Sequence, residues 1–511
     1  MVRVTGGKFD SGLTVPDYWI DRFDVTNRQF KAFVDANGYK RSEFWKHDFV
    51  ENGRTIPRTE AMARFRDRTG QPRPATWALG EYPDGRADYP VTGLSWYEAD
   101  AYASFAGKSL PTVYHWNLAA GRQLSEDIVP LSNFSGRDLA PVGAFKGIGP
   151  GGAYDMAGNA KEWCWNASTN GARYLLGGAW HEPSYMFFED DAQQPFERSP
   201  DNGFRCAIYR SPTNLPSVVT SPIQHSRLVD YSNARPVPDS TFRLYRSLYM
   251  YDMGDKAPLN ASIVSTDDTD VRWRKQRVEC DAAYGNERLV IYLFIPKQAH
   301  APLQTVMYFP GSFSAESRST QHMNLDQFFH FIVRSGRALV YPVYKGTYER
   351  YDGGNLFNSP AAKYRDHVIQ WAKDLGRAID YVETRNDLDR ERLAYYGLSW
   401  GADMGSLLPA VESRLKLAAL VGGGLEVNRR PLPEVDPVNF APHIRIPVLM
   451  VNGRYDFGLP VNLSQKPLFA LLGSPAKDKR HALFDSGHIP PMDFVVREVL
   501  DWFDHYLGPV K

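Results

Sequence analysis

The chain has 511 residues, well beyond the ~250–300 at which a single hydrophobic core stops growing, so two folded units are expected. Its 59 basic and 59 acidic residues balance to a formal charge of zero, which gives no electrostatic case for nucleic acid or an anionic membrane surface. No apolar run approaches the ~20 residues that cross a bilayer, and no signal-peptide pattern opens the chain. Three cysteines (Cys164, Cys206 and Cys280) are too few and too odd in number for a disulfide framework, so a reducing, cytoplasmic setting is expected. The abrupt start, with strand-like Thr5-Gly-Gly-Lys-Phe9 almost at once, reads as a piece of something longer.

Residues 1–210 alternate short strand-like pieces with stretches rich in Gly, Pro, Trp and Asn. Within them Gly93-Leu94-Ser95-Trp96 imitates the start of a nucleophile turn, but Tyr97 stands where a second glycine is needed. Ser95 followed three residues later by Glu98 reads instead as a capping box opening a helix over Tyr97–Phe105. Residues 211–240 are proline-rich and polar without periodicity, which is linker composition.

From residue 241 to 511 the rhythm becomes strand, helix, strand. Arg288–Ile295, Thr305–Phe309, Ala338–Val343, Leu393–Tyr396, Leu417–Val421 and Val448–Val451 are short, nearly continuous apolar runs. Such runs belong to strands buried on both faces of a mostly parallel sheet. Val368, Trp371, Leu375, Ile379 and Val382 share one face of an intervening helix. The layout is α/β.

Between the Leu393–Tyr396 strand and the next helix lies Gly397-Leu398-Ser399-Trp400-Gly401, a Gly-x-Ser-x-Gly elbow. The turn is so tight that side chains two residues either side of the serine would strike backbone. The serine is left exposed at a helix start, where free N–H groups favour an oxyanion. A serine hydroxyl needs a base, and the base needs an orienting acid. Asp456 just past the Val448–Val451 strand and His488 just past the next apolar run supply them in the order Ser, acid, His. Asp403 and Asp485 are the competing acids, and His443, His481 and His505 the competing bases. The Trp400 N–H and the Ser312 N–H, in the loop Pro310-Gly311-Ser312-Phe313-Ser314, are the expected oxyanion donors. A cap over 345–363 carries Tyr348, Tyr351 and Phe357, which read either as a hydrophobic substrate wall or as packing that seats the cap.

Taken with the leading segment 280–296, residues from about 240 onward resemble the α/β-hydrolase superfamily, and its esterase and acyl-peptidase branches in particular. The resemblance implies cleavage of a small-molecule carboxylic ester through an acyl-serine intermediate with no cofactor; a serine peptidase or amidase is the neighbouring alternative. Residues 1–210 resemble the formylglycine-generating-enzyme (sulfatase-modifying factor) domain, of C-type-lectin-like α+β fold. The matching segments include Ile20-Asp-Arg-Phe-Asp-Val-Thr-Asn27, Tyr154-Asp-Met-Ala-Gly-Asn-Ala-Lys-Glu-Trp163, Leu176-Gly-Gly-Ala-Trp180 and Gly203-Phe-Arg-Cys206. Oxidase members hold copper through two cysteines shortly after the Gly-Gly pair, soft ligands suited to Cu(I). Glu182 and Phe187 stand there in this chain, so a non-catalytic scaffold or recognition module is expected; a metal-dependent oxidase, an oxygenase or a ligand-binding module is the alternative. The resemblance also implies structural calcium at Asp155, Asn159 and Glu162, residue types that equally cap turns. The pairing of the two domains resembles that in large signalling proteins that also carry a kinase.

Overall fold

The structure, a computed structural model, describes the chain apart from residues 10–12, 52, 135–136, 183, 211–214, 225–227, 253–256, 326, 354–355, 357–358, 457 and 511. It divides into two compact units, Met1–Arg227 and Leu228–Lys511, with the boundary inside the proline-rich segment. Residues on either side of that boundary belong to their own units. Val219 and Ile223 backbone carbonyls accept hydrogen bonds from Asn166 and Tyr174 of the first unit. Val229 N–H donates to the Val427 carbonyl of the second.

The first unit builds small sheets and short helices around an aromatic core. Its first strand, Val2–Val4, and its last, Ala207–Tyr209, both pair antiparallel with Tyr18–Ile20, so the two ends of the unit close one sheet. Helix Asn27–Asp35 is opened by Thr26 and Gln29, which cap each other reciprocally. Ser95 and Glu98 do the same for helix Trp96–Phe105, one residue longer than the expected span. Between sheets and helices the rings of Phe30, Trp77, Trp96, Trp163 and Phe204 are fully buried.

The second unit is a nine-stranded sheet. In chain order its strands are β1 (Ser262–Asp267), β2 (Trp273–Asp281), β3 (Arg288–Pro296), β4 (Leu303–Phe309), β5 (Ala338–Pro342), β6 (Leu388–Leu398), β7 (Leu417–Val421), β8 (Val448–Gly453) and β9 (Lys479–Phe484). Their spatial order is β1-β2-β3-β5-β4-β6-β7-β8-β9. The first three meander antiparallel, β5 runs antiparallel to β3, and all pairs from β5 to β9 are parallel. Every residue of β4, β5, β7 and β8 is buried. That is why these strands read as unbroken apolar runs rather than alternating ones. Trp371, Leu375 and Ile379 of helix Ala361–Glu383 cover one face, and Val495, Val499 and Phe503 of helix Met492–Leu507 the other.

Candidate active site

The site forms where β6 ends. Ser399 follows the strand with φ 51° and ψ −112°, a backbone conformation disfavoured for any side chain, and opens the short helix Trp400–Met404. The two flanking glycines are explained by distance. A Cβ on Gly397 would lie 2.3 Å from the Gly401 carbonyl oxygen, and one on Gly401 would lie 2.0 Å from the Phe309 carbonyl oxygen. Backbone bonds lock the turn: Ser399 N–H donates to Val421 O and Gly401 N–H to Pro310 O.

Two more strand ends bring the partners. Ser399 Oγ lies 2.7 Å from His488 Nε2, and His488 Nδ1 lies 2.8 Å from Asp456 Oδ2. Asp456 is buried, and its other oxygen accepts the N–H groups of Gly458 and Leu459, which fixes the carboxylate. Burial disfavours the imidazolium of His488. The Asp456 hydrogen bond and charge, with a smaller contribution from Asp403, outweigh burial and hold the ring above the ordinary histidine pKa.

The competing acids sit elsewhere. Asp485 is exposed and paired with Arg454 at the surface. Asp403 is half-buried one turn past Ser399, and its Oδ1 accepts from Gly424 N–H. Burial pushes its carboxyl well above the usual range.

A cavity of about 140 Å³ opens beside the serine, and Ser312, Ser399 and Trp400 all line it. Ser312 and Trp400, expected to donate to an oxyanion, thus share one cavity with Ser399. Tyr348 and Tyr351 of the expected aromatic wall do not. Tyr348 is buried, its hydroxyl 2.8 Å from that of Tyr341, so it packs rather than lines the cavity. Tyr351 is exposed, beneath the Arg318 guanidinium at 3.5 Å, and lines no part of the cavity. Phe357 lies outside the described residues. The walls come instead from Tyr364, Asp403, Glu426 and Arg429, which local sequence pattern did not mark as a group.

In the first unit the three residues expected to hold calcium are engaged by protein donors. Glu162 accepts from Trp116 Nε1 and from Arg205 Nε and Nη2. The Asn159 side-chain oxygen accepts from Asn133 and from Ala140 N–H, and Asp155 accepts from Gly143 N–H. Asp155 and Asn159 have φ of 58° and 64°, conformations of turn residues. These oxygens are taken up by protein donors, Glu162 by Arg205, which does not fit a calcium site. Where copper thiolates would be needed, Glu182 is ion-paired with buried Lys161, and Phe187 is fully buried. Cys164 and Cys206 are buried free thiols outside that segment, so the donor set there does not fit Cu(I) either. His181 pairs with Asp201. Among the described residues no group of three or more His, Cys, Asp or Glu side chains is arranged to hold a metal. The same region has a cavity of about 390 Å³ whose lining includes Arg68, Arg86, Trp180, His181 and Asp201.

Strand order and elbow define the second unit as an α/β-hydrolase fold. Residues 1–210 match the family described as sulfatase-modifying factor enzyme 1-like domain. A formylglycine-generating enzyme of Thermomonospora curvata is 30% identical over 40% of this chain and 92% of its own length. The chain belongs to that family through its first unit. A serine/threonine-protein kinase pkn1 of Chlamydia caviae is 29% identical over 32% of this chain, which spans only 27% of the kinase. An acetyl xylan esterase from Paenibacillus sp. R4 is 20% identical with a TM-score of 0.41, over 52% of this chain and 94% of that one. Among the described residues no helix is long and apolar enough to cross a membrane.

Proposed function

We propose that the second unit is a serine hydrolase that cleaves a small carboxylic ester. The observation that carries this reading is the continuous hydrogen-bonded line from Ser399 Oγ through His488 to Asp456. Ser399 Oγ attacks the ester carbonyl carbon while its proton passes to His488 Nε2. The negative charge on the carbonyl oxygen is met by the N–H groups of Trp400 and Ser312. Collapse of the tetrahedral adduct expels the alcohol, which takes the proton from His488 and leaves an acyl-serine. Water, deprotonated by the same ring, then releases the acid. Asp456 keeps Nδ1 protonated and stabilises the imidazolium.

The first unit is proposed as a scaffold or recognition module, because the positions where its relatives' chemistry would reside hold an ion-paired glutamate and a buried phenylalanine. Its 390 Å³ cavity favours a second reading, a ligand-binding role for that unit. Assay of the purified chain against 4-nitrophenyl acetate and its anilide analogue tests the main reading. Ester turnover well above amide turnover is expected; turnover of neither contradicts it.

A further inference from the structure

The cavity beside Ser399 carries more hydrogen-bonding capacity than ester cleavage uses. Beside apolar Trp400, Met404, Pro431, Val435 and Pro437, its walls hold Tyr364, Asp403, Glu426 and Arg429. Among the described residues Asp403, Glu426 and Arg429 form no ion pair, and the Tyr364 hydroxyl has no hydrogen-bond partner. Arg429 is held in place by the Tyr364 ring, 4.8 Å from its guanidinium, and by a long bond to the Ser359 carbonyl. Asp403 uses one oxygen on Gly424 N–H. Burial pushes its carboxyl up, and its second oxygen is left to bond an occupant. Glu426 is fixed from behind, its carbonyl accepting from Tyr231 and its carboxylate from Asn428 N–H.

Two kinds of occupant suit this wall badly. A wholly alkyl group would pack on Met404, Pro431 and Val435 but strip water from a phenol, a carboxyl and a guanidinium and return no hydrogen bond. An anion would gain Arg429 but meet the Glu426 carboxylate in the same small space. A neutral group with several hydroxyls uses both donors and acceptors, since each hydroxyl gives one hydrogen and accepts two. Resting on the reading of Ser399 as the nucleophile, we propose that this cavity receives a small, neutral, hydroxylated part of the ester. Tyr364, Asp403 and Arg429 are its specificity-determining residues. A site built to bond a hydroxyl rejects the analogue lacking it far more strongly than an apolar pocket rejects an extra methylene.

The hydroxyls belong to either the acyl or the alcohol side, and two pairs, each a hydroxylated ester against one without hydroxyls, separate these sources. One pair is 4-nitrophenyl lactate against 4-nitrophenyl isobutyrate. The other is methyl 6-O-acetylglucoside against cyclohexylmethyl acetate. The hydroxylated member of at least one pair should have the higher kcat/KM by about tenfold or more. Tyr364→Phe and Asp403→Asn should each shrink that ratio, chiefly through KM, while a fluorophosphonate still labels Ser399. If the labelled wild type treats both pairs within about threefold, or if the variants lower both members equally, this inference is overturned and the serine reading stands. A wild type that takes no label overturns both.

Discussion

Asp456 Oδ2 and His488 Nδ1 lie 2.8 Å apart across the ends of two neighbouring parallel strands, β8 and β9. A carboxylate facing Nδ1 favours the tautomer with hydrogen there, and Nε2 lies 2.7 Å from Ser399 Oγ. Asp456→Asn should preserve shape yet favour the wrong tautomer, slowing ester turnover by about 10⁴. Asp485→Asn, which breaks only a surface pair with Arg454, should leave turnover within about twofold. Steady-state kinetics of the two variants decide the matter, and the reverse ranking would move the acid to Asp485.

The pH profile carries the same relationship. His488 must be neutral to accept the serine proton, and its pKa is held above the ordinary ~6.5. The rate should therefore fall as pH drops through a value above 6.5. Removing the Asp456 charge removes the main influence that raises the pKa and leaves burial to dominate. The residual activity of Asp456→Asn should thus show its acid limb at lower pH than wild type. A limb that stays in place would mean that another group titrates.

Ser95 offers a control drawn from the same four-residue string. Its hydroxyl accepts from Glu98 N–H and donates to the Glu98 carboxylate in a buried capping box. Ser95→Ala should cost about 0.5–2 kcal/mol in denaturant unfolding and leave ester turnover unchanged. Loss of turnover without loss of stability would give the first unit a part in the chemistry.

The elbow was legible because its constraint is local. The same backbone clashes that exclude side chains at Gly397 and Gly401 write two glycines into five residues. Asp456 and His488, which lie in line with Ser399, stand out in the sequence as the candidates past apolar runs, which buried parallel strands make continuous. The cavity wall was not legible: Tyr364, Asp403 and Arg429 come from separate elements and share no sequence period. Tyr348 misled for a related reason. An aromatic there suits a substrate wall or packing alike, and only the fold shows its ring buried against Tyr341. Asp155, Asn159 and Glu162 have calcium-like spacing, and only the fold shows that Arg205, distant in sequence, already claims Glu162.

The central claim is that Ser399 is the nucleophile, and the most direct measurement is covalent labelling by a fluorophosphonate followed by mass mapping of the adduct. The wild-type chain should carry one adduct, on Ser399. Ser399→Ala should carry none, and should lose on the order of 10⁴–10⁶ in turnover while keeping its fold. An adduct on another residue, or turnover retained by Ser399→Ala, would contradict the account.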